Sequence, residues 1–162
     1  MNSKSENAQP PTGWKKLMFR SGIYVYRLGL GGWLGERMLL LNHVGRKSGQ
    51  PRQAVLEVIA HDKVADIFYV ASGYGRQSDW FQNLQKKPDV TIQVRRKKIA
   101  VTAVILSPEE SGQKLVAYAH QHPQAAKNLG RFLLGDQVDG TDESYYKMGY
   151  DNVPVVAFQP RS

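Results

Sequence analysis

From residue 37 onward the chain alternates between apolar runs of strand length and short polar turns. This rhythm constrains the fold more than any other feature. Residues 37–44 carry Met38, Leu39, Leu40 and Leu41, and residues 52–61 carry Val55, Val58 and Ile59. Residues 65–72 centre on Ile67-Phe68-Tyr69-Val70, after a short turn at Asp62-Lys63. Residues 91–94 and 99–106 flank Arg95-Arg96-Lys97-Lys98, and residues 153–158 form a last run. Apolar runs of this length, bounded by turn residues, predict β-strands. Links this short make hairpins, because a parallel crossover needs a dozen residues or more. About six mostly antiparallel strands tend to close on themselves, which removes their edges. The expected fold is mainly β with α, a small barrel with helices packed outside it.

Two helical stretches have strong local signals. Ser78 or Asp79 caps a short helix through Lys86, and Pro88 stops it. Ser107-Pro108-Glu109-Glu110 combines a capping serine, proline at the first position and acids in the first turn. That helix is expected to reach about His122, with Pro123 opening another that ends near Gly135.

Residues 1–13 are polar, contain Pro10-Pro11 and read as a disordered tail, leaving residues 14–162 as one domain. The tail lacks the apolar centre of a signal peptide, so export is not indicated and a cytoplasmic location is expected. Residues 14–35 read as an amphipathic helix loosened by Gly29, Gly31, Gly32 and Gly35. Two placements stay open for it. It packs on the barrel or on a dimer partner, or it lies on a membrane face with Trp14, Phe19 and Trp33 as anchors. Its interrupted apolar runs fall short of the roughly 20 residues that span a bilayer.

The absence of cysteine excludes disulfides and thiolate metal sites, and the four histidines show no metal-ligand spacing. No metal is expected. A net charge of +8 points to an anionic partner. Nucleic acid is not the expected one, since no helix-turn-helix pattern or aromatic platform among cations is present. Arg95-Arg96-Lys97-Lys98 reads as a solvated hairpin tip that blunts a strand edge.

The feature with the most chemical content is Gly45-Arg46-Lys47-Ser48-Gly49-Gln50-Pro51-Arg52, lying between the first two strands. Glycines let amides converge on an anion, and arginine offers a planar fork that matches phosphate oxygens. The loop is either a phosphate grip or a basic hairpin turn in solvent. Three further features follow: the Ala71-Ser72-Gly73 strand end, a second glycine at Gly75, and Asp79-Trp80-Phe81-Gln82-Asn83-Leu84. A strand end followed by glycines admits a flat ligand close to the backbone. Trp80 serves equally as a core anchor and Asn83 as a turn former.

Taken in order, these strings resemble the deazaflavin-dependent nitroreductases, split β-barrel proteins that use the deazaflavin coenzyme F-420. The matching segments are Gly45-Arg46-Lys47-Ser48-Gly49 with Arg52, Val70-Ala71-Ser72-Gly73 with Gly75, Trp80-Phe81-Gln82-Asn83-Leu84 with Pro88, and Val153-Pro154-Val155-Val156. The resemblance implies that Arg46, Lys47, Ser48, Gly49 and Arg52 hold the coenzyme's phosphate and acidic tail. It implies that Ala71, Ser72 and Gly73 lie against the ring, and that Trp80 and Asn83 shape the same pocket. Asn42 and His43 depart from the family's usual threonines, and the segment with Tyr145, Tyr146 and Tyr150 aligns poorly.

The activity so implied is hydride transfer from the reduced coenzyme to a small electron-poor acceptor: a nitro-compound, a quinone or an activated alkene. Tyr146 or Tyr150 would orient that acceptor or donate a proton. His43 reads as structural. FMN is the alternative cofactor for the same barrel, and a non-catalytic carrier of the coenzyme or an apolar ligand is the alternative function. Split barrels of this kind are often homodimers.

Overall fold

Alternation along the strands closes into a barrel in the computed structural model, which describes residues 37–134 and 139–161. The strands are β1 (Met38–Val44), β2 (Pro51–Asp62), β3 (Ile67–Ala71), β4 (Asp89–Val94), β5 (Lys97–Ile105) and β6 (Val155–Pro160). They close in the order β1-β2-β3-β6-β5-β4, every neighbouring pair antiparallel. The helices are α1 (Asp79–Lys86), α2 (Pro108–Gln121), α3 (Pro123–Leu134) and α4 (Asp142–Asp151). The expected tail, the expected amphipathic segment at 14–35 and the expected helix end at Gly135 lie outside the described residues.

Every second strand residue faces the interior, as the two-residue period of a strand requires. Leu39 and Leu41, Phe68 and Val70, Val90 and Ile92, Val101 and Ala103, and Val156 and Phe158 meet there. A second apolar layer lies between the outer barrel surface and α2, α3 and α4, built on Leu115, Tyr118, Tyr145, Met148 and Val155. β2 reaches that layer through a bulge. Val58 pairs with Val70 and Ala60 with Tyr69, and the extra residue, Ile59, is buried in the outer layer.

The structure corrects the sequence reading in four places. Not all helices pack outside: α1 places Phe81 and Leu84 in the interior core. The β2–β3 turn occupies residues 63–66 rather than Asp62-Lys63 alone, because the Asp62 carboxylate accepts from the Val64 and Ala65 amides. Lys97 and Lys98 belong to β5, so Arg95-Arg96 is the whole β4–β5 turn. Helix α4 went unassigned. Its Thr141 cap accepts from the Ser144 amide, but it has no acidic or amide side chain three residues on to complete a capping box. In α2 that box is complete between Ser107 and Glu110.

Candidate functional site

The β1–β2 loop and α1 meet at one end of the barrel. Gly45 donates its amide to Gln50 O at 2.9 Å, and Gly49, at φ +70°, donates to Gly45 O at 2.9 Å. A Cβ on Gly45 would stand 2.6 Å from Ser48 Oγ, so the loop closes this tightly only without one. Ser48 Oγ accepts from the Gln50 amide at 3.2 Å. With Arg46 N–H bonded to Asn83, the amides of Gly45, Arg46, Gly49 and Gln50 are all engaged within the protein. An anion is therefore left to side chains and to the Lys47 and Ser48 amides, not to a full ring of backbone donors.

Asn83 is the residue that fixes the loop to α1. Its Oδ1 accepts from Arg46 N at 3.0 Å and from Arg46 Nη1 at 2.9 Å. With Oδ1 turned to those donors, Nδ2 faces His43 Nδ1 at 3.0 Å. Since Nδ2 only donates, His43 Nδ1 accepts and the ring proton sits on Nε2. Both side chains are buried. Burial, helped by the Arg52 guanidinium beside it and opposed by Asp79, lowers the His43 pKa to about 4 from its ordinary 6.5.

His43 is therefore held neutral in the fold. Between pH 6.5 and about 4 the unfolded chain takes up a proton that the folded chain refuses, so stability falls as pH drops through this window. The full loss approaches about 3 kcal/mol. Urea unfolding at neutral pH and near the lower end of the window should show this excess loss. In His43→Gln, whose amide oxygen still accepts from Asn83, most of the excess should vanish. An equal loss in both proteins would overturn the neutral-histidine assignment.

The loop, the start of α1 and Tyr74 enclose a cleft of about 640 Å³. Arg46, Lys47, Ser48 and Arg52 line its basic side, and Tyr74 and Trp80 supply aromatic wall. Trp80 is half-buried and meets Phe81 edge to face, with ring centres 6.1 Å apart. The Arg46 guanidinium lies 3.3 Å from Asp79 Oδ1, so one loop cation is already partnered. No ion pair engages Lys47 or Arg52 among the described residues.

The structure thus brings Arg46, Lys47, Ser48, Arg52, Trp80 and Asn83 to one cleft, with Gly49 shaping the loop. Ala71, Ser72 and Gly73 do not line it; the next residue, Tyr74, does. Ser72 is engaged throughout: its amide donates to Pro154 O, its carbonyl accepts from Gly75 N, and its hydroxyl donates to Gly75 O at 2.6 Å. Tyr146 and Tyr150 also lie off the cleft, their rings stacked 6.1 Å apart on α4, with Tyr146 against Gly112 of α2. The end of α4 does reach the neighbouring turn, where Asn152 O would stand 3.2 Å from a Cβ on Gly75. Sequence reasoning passed over Tyr74 and Asp79 as site residues. A tyrosine set between two glycines was the available signal for the first.

A six-stranded antiparallel barrel with a basic loop and an aromatic-walled cleft at one end defines a split-barrel protein of the flavin-like type. Solved structures share the fold. A reductase described as dependent on F420-H2 superposes with a TM-score of 0.52 at 19% identity, over 77% of this chain and 96% of the other. An FMN-binding, pyridoxamine 5'-phosphate oxidase-related protein of Nostoc punctiforme does so with a TM-score of 0.50 at 16% identity, over 93% and 81%. At such identities the likeness is of fold alone.

The sequence profile of the F420H2-dependent quinone reductases matches residues 22–128, and the chain belongs to that family. An F420H2-dependent quinone reductase of Mycobacterium tuberculosis is 33% identical over 95 residues. That match spans 53% of this chain and 61% of the relative, less than two thirds of its length.

Proposed function

We propose that this chain is an oxidoreductase that uses reduced coenzyme F-420 to reduce a small electron-poor acceptor, with a quinone as the first candidate. The observation that carries this reading is a pair of cations, Lys47 and Arg52, with no ion-pair partner among the described residues, beside an aromatic wall in one cleft. The cleft fits a molecule with a flat ring system and a phosphate-bearing acidic tail, and family membership supports that identity. When bound, the coenzyme supplies the hydride chemistry.

The protein's part is to bind and orient. Lys47 and Arg52 hold the phosphate and tail, and Ser48, whose oxygen accepts from Gln50, donates its hydroxyl hydrogen to a ligand oxygen. Arg46 and Asn83 keep the loop in register with α1. Trp80 and Tyr74 flank the ring, with the backbone of Ala71, Ser72 and Gly73 behind the Tyr74 turn. Tyr150, exposed near the α4 end that abuts Gly75, is the proposed group for orienting the acceptor, with Tyr146 beside it.

Replacing Lys47 and Arg52 together with Ala removes two charge-assisted contacts, each worth about 1.5–3 kcal/mol. Affinity for F-420 should fall at least about a hundredfold while unfolding stays within about 0.5 kcal/mol of wild type. Parallel fluorescence titrations with F-420 and FMN, followed by quinone turnover with the reduced coenzyme, test the whole reading. Unchanged F-420 affinity in the double variant would sink the phosphate assignment. Tighter binding of FMN would move the chain to flavin chemistry. Bound coenzyme without turnover of any acceptor would make it a carrier.

Membrane contact through residues 14–35, which rests on the sequence pattern, and pairing of two copies, which rests on the resemblance to other split barrels, belong to the same proposal. Among the described residues no helix is long and apolar enough to cross a membrane. Co-sedimentation with anionic vesicles reads the first; sedimentation velocity reads the second.

A further inference from the structure

The two ends of the barrel are built differently. At the loop end, α1 sends Phe81 and Leu84 into the interior. At the opposite end, the β2–β3 and β4–β5 hairpins flank an opening of about 530 Å³ that no helical residue lines. That volume lies in the range of pockets that hold small molecules.

The floor of this opening is apolar. Phe68 and Val94 belong to the buried interior core, and Ile99 packs against it. The His61 ring lies flat on Phe68, with centroids 3.9 Å apart and planes 10° apart, and His61 Nε2 sits 2.9 Å from Asp66 Oδ1. One rim is cationic, made by Arg95, Arg96 and Lys97. Asp66 is the one carboxylate among the lining residues, and it is already bound to His61.

The backbone points to the same place. Among the described residues, Asp66 (φ 56°) and Arg95 (φ 55°) are the non-glycine residues with positive φ, and both line this opening. L-residues disfavour that conformation, and a hairpin tip that requires it ordinarily carries Gly or Asn. Arginine at this position keeps a guanidinium on the rim at a conformational cost.

We propose that this end of the barrel binds an amphiphilic anion: an aliphatic or aromatic body carrying one carboxylate, sulfonate or phosphate head. The body would lie on Phe68, Val94 and Ile99. The head would meet Arg95, Arg96 and Lys97, where a cation against an anionic oxygen makes the strong class of hydrogen bond. This site shares no lining residue with the cleft at the loop end, and its ligand class does not depend on what that cleft holds.

The test is calorimetric titration of the full chain with dodecyl phosphate below its micelle concentration, against the uncharged dodecyl maltoside. One molecule should bind per chain, at least tenfold more tightly than the uncharged detergent. Arg96→Glu with Lys97→Glu should weaken it at least tenfold and leave F-420 binding unchanged. Ile99→Trp, which fills the floor, should weaken it as much without reversing any charge. Circular dichroism confirms that each variant is folded. No saturable binding, equal affinity for both amphiphiles, equal affinity in the charge-reversed protein, or binding only to anionic vesicles would each overturn the proposal.

Discussion

Asn83→Leu should destabilise the protein by about 3 kcal/mol and abolish measurable coenzyme binding, although the side chains are close in size. Leucine leaves the buried Nδ1 of His43 and the amide of Arg46 without partners, and each such group costs about 1–3 kcal/mol. The Arg46 guanidinium also loses its shorter contact and keeps only the 3.3 Å approach to exposed Asp79. A loop freed from α1 no longer presents Lys47 and Arg52 at one place. Asn83→Asp separates the two roles. A carboxylate still accepts from Arg46, and His43 can shift its proton to Nδ1 and donate to it, so most of the stability should return. The added negative charge beside the proposed anion site should still weaken coenzyme binding about tenfold or more. Urea unfolding and coenzyme titration of both variants check this. A leucine variant within about 1 kcal/mol of wild type would show that Asn83 does not hold the loop.

Gly149→Ala should also destabilise, by about 1–2 kcal/mol, against the usual direction of such a change. In a helix interior, Ala is ordinarily favoured over Gly by about 1 kcal/mol. Here an added Cβ would stand 2.6 Å from Ser111 O and 2.7 Å from Gly112 Cα. These are backbone atoms, so no rotamer change relieves the clash, and α2 and α4 must separate. Overpacking of this kind costs typically 1–3 kcal/mol and outweighs the propensity gain. Separation also pulls Ser111 Oγ away from the Val155 amide, a buried bond of 3.0 Å at the start of β6. Because the end of α4 abuts the Gly75 turn next to Tyr74, the same variant should weaken coenzyme binding severalfold. Thermal unfolding beside a surface control, Lys147→Ala, gives the sign directly. A higher midpoint for Gly149→Ala would refute the close α2–α4 crossing.

The family was legible from the order of its motifs, and the basic loop from its composition, because both are local strings. The way the loop works was not legible. Glycines at 45 and 49 suggested a ring of amides for the anion, yet most of those amides close the loop on itself or bind Asn83. Asn83 read equally well as a turn former. Its role depends on Arg46 and His43, 37 and 40 residues away along the chain.

What the sequence alone determined were the features whose causes lie within a few residues. The strands follow from apolar runs between turns. Helix α2 follows from Ser107 and Glu110, which bond to each other across three positions, with Pro108 at the first helical position. The absence of cysteine rules out thiolate chemistry. Tertiary structure decided the rest: that α1 enters the barrel, that α4 is a helix despite Gly149, that His43 stays neutral, and that, among the described residues, Arg46 has an ion-pair partner while Lys47 and Arg52 have none. Each of these depends on what lies across the fold. Gly149 weakens α4 locally and is accommodated because another helix occupies the space where its side chain would be. Desolvation of His43 and pairing of Arg46 with Asp79 arise only once distant segments exclude water together.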